Sequence, residues 1–100
     1  MTQLFKAIAA AIEESRNNPG STPRVMLPLF PDTVPDALDC IAGYAAMHRE
    51  VCDHEAIIID IDGKLHNAID AWGWDADRYD GEHDWRIAIV VAPITVGGAA

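Results

Sequence analysis

Apolar residues recur along this chain with two different periods. Leu4, Phe5, Ile8, Ala11 and Ile12 fall on one face at helical spacing, while Lys6, Glu13 and Arg16 lie away from it. The spacing predicts an amphipathic helix over residues 2–16, which Thr2 can cap. The run Asn17-Asn18-Pro19-Gly20 ends it, because proline cannot continue the ladder and glycine accepts positive φ. Residues 24–30, RVMLPLF, have strand composition; Pro28 lacks an N–H, so this strand belongs on an edge or is short. A second helix is predicted from near Thr33 to about Cys52. Thr33 with Asp36 resembles a capping box, and Pro35 suits a first turn. Its apolar positions form two stripes, Leu38, Ile41, Ala45, His48 and Cys52, then Cys40, Tyr44, Met47 and Val51. A surface this wide implies burial on more than one side and a central place for that helix.

Further on, the period shortens. Residues 56–62, AIIIDID, read as a strand, with Ile57, Ile59 and Ile61 on one face and Ile58, Asp60 and Asp62 on the other. Asp62-Gly63 can close a tight hairpin. Alternatively Leu65, Ala68, Ile69 and Trp72 mark a short helix ending at Gly73, and their spacing favours that reading. Residues 86–94, RIAIVVAPI, form a near-continuous apolar strand of the kind found inside a sheet, and Pro93 and Gly97-Gly98 close the ordered chain. The order is helix, strand, helix, strand, a possible helix, strand. It predicts a small two-layer α/β (α+β) domain, with two or three helices packed on a three- to four-stranded mixed sheet.

Length and charge narrow the function. One hundred residues make one domain, 1–100, without room for a large catalytic lid. The net charge is −9, of which −7 falls on residues 53–100. Such a field repels nucleic-acid phosphates and anionic membranes, so neither direct nucleic-acid binding nor membrane binding is expected. It favours cations or basic protein surfaces; charge that only keeps a small protein soluble is the plain alternative. Cys40 and Cys52 fall in one predicted helix about 18 Å apart, too far to bridge. Free thiols, no basic leader and no apolar run of about 20 residues predict a cytoplasmic protein.

The densest feature is residues 70–85, DAWGWDADRYDGEHDW. It gathers Asp70, Asp75, Asp77, Asp80, Glu82 and Asp84 around Trp72, Trp74, Tyr79 and Trp85. Acids steer association with a basic partner, and large aromatics anchor interfaces. The partner-binding set expected is Asp70, Trp74, Asp75, Asp77, Tyr79, Asp80, Glu82, Asp84 and Trp85. The leading expectation is a non-enzymatic inhibitor, monomeric or homodimeric and without a cofactor, docking this segment on a basic protein surface. That surface suits a nucleic-acid-binding protein or complex, since irregularly spaced acids can imitate phosphate charge. Small acidic proteins of this kind include phage-borne (anti-CRISPR-like) inhibitors, nucleic-acid mimics and toxin immunity partners, an analogy of size and charge alone. The plain reading makes the tryptophans core and the acids their solvated edge.

Two readings oppose it. The run Ile57-Ile58-Ile59-Asp60-Ile61-Asp62-Gly63-Lys64-Leu65 resembles the first motif of haloacid-dehalogenase-type phosphatases, and Asp80-Gly81-Glu82-His83-Asp84 has the form of that family's metal-binding motif. The resemblance implies Asp60 as nucleophile and Asp62 as general acid/base, with Asp80 and Asp84 holding Mg²⁺. Lys64 stands where the family has Thr or Val, and only about fifteen residues separate the two motifs. A plain Mg²⁺ or Ca²⁺ site built on Asp75, Asp77, Asp80 and Asp84 is the other possibility, although the spacing departs from the calcium loop of helix–loop–helix sensors. His48 and Cys52, four apart on the predicted helix, have metal-ligand spacing but lack a second pair to complete a site. No Gly-rich phosphate loop, paired CxxC or nucleophile motif is present.

Overall fold

A computed structural model describes residues 3–27, 34–78 and 83–94. In chain order the elements are α1 (Gln3–Asn17), β1 (Arg24–Met26), α2 (Val34–Met47), β2 (Glu50–Ile61), β3 (Lys64–Asp75) and β4 (Trp85–Pro93). Two helices pack on a four-stranded mixed sheet of order β1-β4-β3-β2. β1 runs parallel to β4, and the other two pairings are antiparallel. The predicted class therefore stands, while three local readings change. Thr2, Pro28, Thr33 and Gly97-Gly98 lie outside the described residues.

The first change is the short helix after Gly63. Residues 64–75 are strand, paired with β2 residue for residue from Ile61↔Lys64 to Glu50↔Asp75. Asp62 and Gly63 both take positive φ, 53° and 83°, and this two-residue turn continues the right-handed twist of the strands it joins. Turn chemistry and a partner ladder outweigh the local 3.6 spacing of Leu65, Ala68, Ile69 and Trp72.

The second change is the end of α2. It stops at Met47, and Arg49 turns the chain with φ 54°. Val51 and Cys52 lie in β2 rather than on the helix. His48 sits in the turn, its ring stacked 4.3 Å from that of Tyr44, so His48 and Cys52 do not form a helical ligand pair. Cys40 and Cys52 are on different elements, and neither is in a disulfide.

The third concerns the wide apolar surface of α2. Only Ala37, Ile41, Tyr44 and Ala45 are buried, and Met47 is exposed. The helix covers one side of the sheet and is not central.

The core lies between the helices and one face of the sheet. Leu4, Ile8 and Ile12 of α1 and Ile41 of α2 meet Ile69 and Ala71 of β3 and Trp85, Ile87 and Ile89 of β4. Odd-numbered β3 and β4 residues thus face the helices. By the alternation of a strand, Ala68, Asp70, Trp72 and Trp74 face the other way, onto a side that no described helix covers. Polar contacts tie the layers together. The Ser15 hydroxyl accepts from the Arg86 backbone N–H at 2.8 Å, and Pro23 O accepts from Ala88 N–H at 2.9 Å.

Candidate functional site

The sheet face that no described helix covers carries the chemistry-bearing side chains, while Ala68, Asp70, Ala88 and Val90 on it are buried. Pairing across β2 and β3 sets Asp53 opposite Trp72, Glu55 opposite Asp70, Ile57 opposite Ala68 and Val51 opposite Trp74. Two residues apart on one strand, Trp72 and Trp74 share this face, and both are half-buried. Asp53 and Glu55 are exposed beside them. Farther along, Ile57 and Ile59 flank a shallow cleft that reaches Arg24, Asp70 and Arg86. A neighbouring cleft is lined by Glu55, Asp70, Trp72, His83 and Arg86.

Asp70 is the buried charge of this face. Its carboxylate accepts from Arg86 Nε, 2.9 Å from Oδ1 and 3.1 Å from Oδ2, and Arg86 Nη2 also donates to Oδ2. The hydrogen bond and charge of Asp70 raise the Arg86 guanidinium above its ordinary value. Asp70 is thus buried in a pair with Arg86.

The acids at the far end of β3 have structural work as well. Asp75 Oδ1 accepts from the Asp77 N–H at 2.8 Å, a local turn of the kind Asp favours. Asp84 Oδ2 accepts from the Asp75 N–H at 3.1 Å, and Asp84 Oδ1 pairs with Arg78 Nη2 at 2.6 Å. Asp84 N–H donates to Gly73 O at 2.7 Å, fixing the entry to β4. Asp75 and Asp77 remain exposed, whereas Asp84 is half-buried. Tyr79, Asp80, Gly81 and Glu82 lie outside the described residues.

Of the three tryptophans, Trp85 is core at 1 % exposure; its ring packs under the helices and its Nε1–H donates to Glu50 Oε1 at 3.2 Å. Trp72 and Trp74 are the indoles that reach the surface. Sequence reasoning overlooked Asp53 and Glu55, because residues up to Cys52 were assigned to a helix. Their signal was the period-two run Val51, Asp53, Glu55, Ile57, Ile59, Ile61, which needs the Asp62-Gly63 hairpin to be seen.

The geometry separates the acids of the phosphatase-like reading. Asp60 and Asp62 sit at the hairpin tip, where Asp60 Oδ1 accepts from the Gly63 N–H at 2.8 Å. Asp84 meets β3 at Asp75, ten residues along from Leu65, the partner of Asp60, which at about 3.3 Å each is on the order of 33 Å. Asp60 and Asp62 therefore do not share a site with Asp84. The DxDG run here closes an antiparallel hairpin on an edge strand, with Asp60 near the end of β2 and Asp62 within the turn. Among the described residues, no three His, Cys, Asp or Glu side chains gather in a way that holds a metal ion. Among them, too, no helix is long and apolar enough to cross a membrane. No protein-family model, curated protein or solved structure matches this chain.

Proposed function

We propose that this chain is a small acidic, non-enzymatic binding protein that lays its uncovered sheet face on a basic protein surface. The observation that supports this reading is the pair Trp72 and Trp74, half-exposed on a face with no described helix over it and beside the exposed acids Asp53 and Glu55 of β2, with the exposed Asp77 just past the end of β3. Half-exposed indoles supply large contact area at low entropic cost, and an acidic border orients a cationic partner before contact. The partner class that fits is a protein with a nucleic-acid-binding groove. An inhibitor of phage type acting on nucleic-acid-handling machinery, a nucleic-acid mimic or a toxin immunity partner uses this chemistry. Cytoplasmic action follows from that partner class.

The test is affinity capture on the immobilised protein from nuclease-treated lysate, followed by titration of the purified captured partner. Trp72→Ala is expected to weaken binding by at least about 30-fold, the size of an interface anchor. Asp53→Lys with Asp77→Lys is expected to slow association and flatten its salt dependence. Parent-like affinity in both variants, with circular dichroism unchanged, overturns the reading.

A further inference from the structure

We infer that β2 is a self-pairing edge, and that two copies of this chain join along it, β2 antiparallel to β2, into one continuous eight-stranded mixed sheet. This inference does not rest on the binding reading above. It starts from the sheet order: β2 is an outer strand of twelve residues, paired on one side only among the described residues. The Asp62-Gly63 turn makes Ile61–Lys64 the closing hydrogen-bonded pair. Alternation then directs the backbone groups of Cys52, His54, Ala56, Ile58 and Asp60 away from β3. Two hydrogen bonds on the other edge of β3 agree with this phase, since Leu65 O and Gly73 O are both taken by groups on the β4 side.

Exposed edges are usually blunted by proline, lysine, a bulge or brevity. β2 has no proline or lysine, and its register with β3 runs without a shift. Its charges are Glu50, Asp53, Glu55 and Asp60, with His54 among them, leaving Ala56-Ile57-Ile58-Ile59 uncharged. Ile58 is 61 % exposed, and Leu65, on the same face of the hairpin, is 51 % exposed.

A second copy fits this edge better than a strand of arbitrary sequence. An antiparallel two-fold axis at Ile58 sets Ile58 against its own copy, Ile57 against Ile59, and Ala56 against Asp60. Glu55 then meets Ile61, and no acid stands opposite an acid. Like charges directly opposed across strands destabilise, whereas β-branched pairs stabilise. Moving the axis to Ala56 sets Glu55 against Ile57 and Asp53 against Ile59, which splits the isoleucine cluster. The other described edge, β1, is only three residues long, so pairing through β2 closes as a two-fold dimer. In that dimer the two uncovered faces lie side by side and present both Trp72–Trp74 pairs.

Sedimentation equilibrium over a concentration series tests this, at low and moderate salt. The parent is expected to reach twice its 10.9 kDa mass. Screening is expected to strengthen the dimer, because each copy carries −9. An acidic–basic heterocomplex responds to salt in the opposite sense, so the two proposals fail separately. Ile58→Lys is expected to be monomeric with unchanged circular dichroism. Ile58→Cys, in a background with Cys40→Ser and Cys52→Ser, is expected to oxidise to a covalent dimer, since a directly opposed hydrogen-bonded pair has Cα atoms about 5.5 Å apart. A parent that stays monomeric at every concentration, including when its β2 edge instead captures an unrelated extended peptide, overturns the inference. So does a dimer that Ile58→Lys leaves intact, or one in which the introduced cysteines do not join.

Discussion

The indole of Trp85 lies so close to the backbone of Gly73 that a Cβ at Gly73 would stand 2.3 Å from Trp85 Cζ2. The two residues are cross-strand partners in β3 and β4, and the ring occupies the space that a side chain at 73 would fill. A rigid ring, held on its far side by the helices, has no low-cost way to yield. Gly73→Ala is expected to destabilise the fold by about 3 kcal/mol, the upper part of the overpacking range. Gly43, on the exposed side of α2, has only Phe5 Cε2 at 3.9 Å from a built Cβ. Gly43→Ala is therefore expected to stabilise by up to about 1 kcal/mol through helix propensity. Urea melts of both variants check the pair. Equal effects of the same sign would overturn the packing argument.

Gly73 also shows where sequence reading stops. Placed at the end of a predicted helix, it looks like a C-cap; in the hairpin it is a seat for Trp85. The first helix, the start of the strand predicted over 24–30 and the last strand were legible because their apolar residues keep one period and end at Pro or Gly. Of the β2–β3 hairpin, the strand at 56–62 was legible and the Asp62-Gly63 turn was one of two readings; residues 50–55 and 64–75 were not read as strand, because the first are mostly polar and Leu65, Ala68, Ile69 and Trp72 also fit the helical period. Only the partner strand decides between the two periods. The acids of 70–85 read as one surface. The structure divides the described ones into a buried partner of Arg86 (Asp70), turn-formers (Asp75, Asp84) and the exposed Asp77, while Asp80 and Glu82 lie outside the described residues. Nothing in the spacing of a single sequence reports which acid has an arginine opposite it.

Asp70 and Arg86 form a pair whose members are unequally buried, 3 % and 47 % exposed at the side chain. Removing Arg86 alone strands a carboxylate under the sheet surface, whereas removing both removes the problem. Arg86→Met is expected to cost about 2 kcal/mol, less than for a fully buried pair because the guanidinium is half in water. Asp70→Leu added to Arg86→Met is expected to recover most of that loss. A double-mutant cycle in denaturant measures it; a double variant less stable than Arg86→Met alone would show that the pair shapes the face in another way.

Cys52 is half-buried against the core, and this burial raises its thiol above the ordinary value, with the charges of Asp53 and Glu50 adding to the effect. The folded chain therefore holds this proton more tightly than the unfolded chain does. Its contribution to stability is intact below the ordinary thiol value, about 8.5, and is lost as pH rises from there through the raised folded value. In a Cys40→Ser background, the rate of reaction with an aromatic disulfide reagent is expected to rise with pH later in the folded protein than in urea. Coincident pH profiles would remove burial as the cause.

Glu50 joins three elements through one carboxylate. Its Oε1 accepts from Arg16 on α1 at 2.5 Å and from Trp85 Nε1 on β4 at 3.2 Å, while Glu50 itself opens β2 and its side chain is only 5 % exposed. Arg16 also lies 5.8 Å over the Tyr44 ring, and the Tyr44 hydroxyl donates to Glu13, so α2 enters the same network. Glu50→Ala leaves the indole N–H and the guanidinium without their shared acceptor. The expected cost is about 2–3 kcal/mol, since an unpaired buried donor loses its full solvation. Glu50→Gln keeps an acceptor oxygen for one donor and sheds the charge, so its cost is expected to lie between parent and Glu50→Ala. Glu50→Ala made on a Trp85→Phe background isolates the indole bond: its cost there is expected to be smaller, because the ring no longer carries a donor. Chemical denaturation of the five chains (parent, Glu50→Ala, Glu50→Gln, Trp85→Phe and Trp85→Phe with Glu50→Ala) checks the order. If Glu50→Ala costs the same with and without the indole N–H, the strand is held by Arg16 alone, and the helix-to-strand turn at residues 48–50 depends on one ion pair rather than on the Trp85 contact.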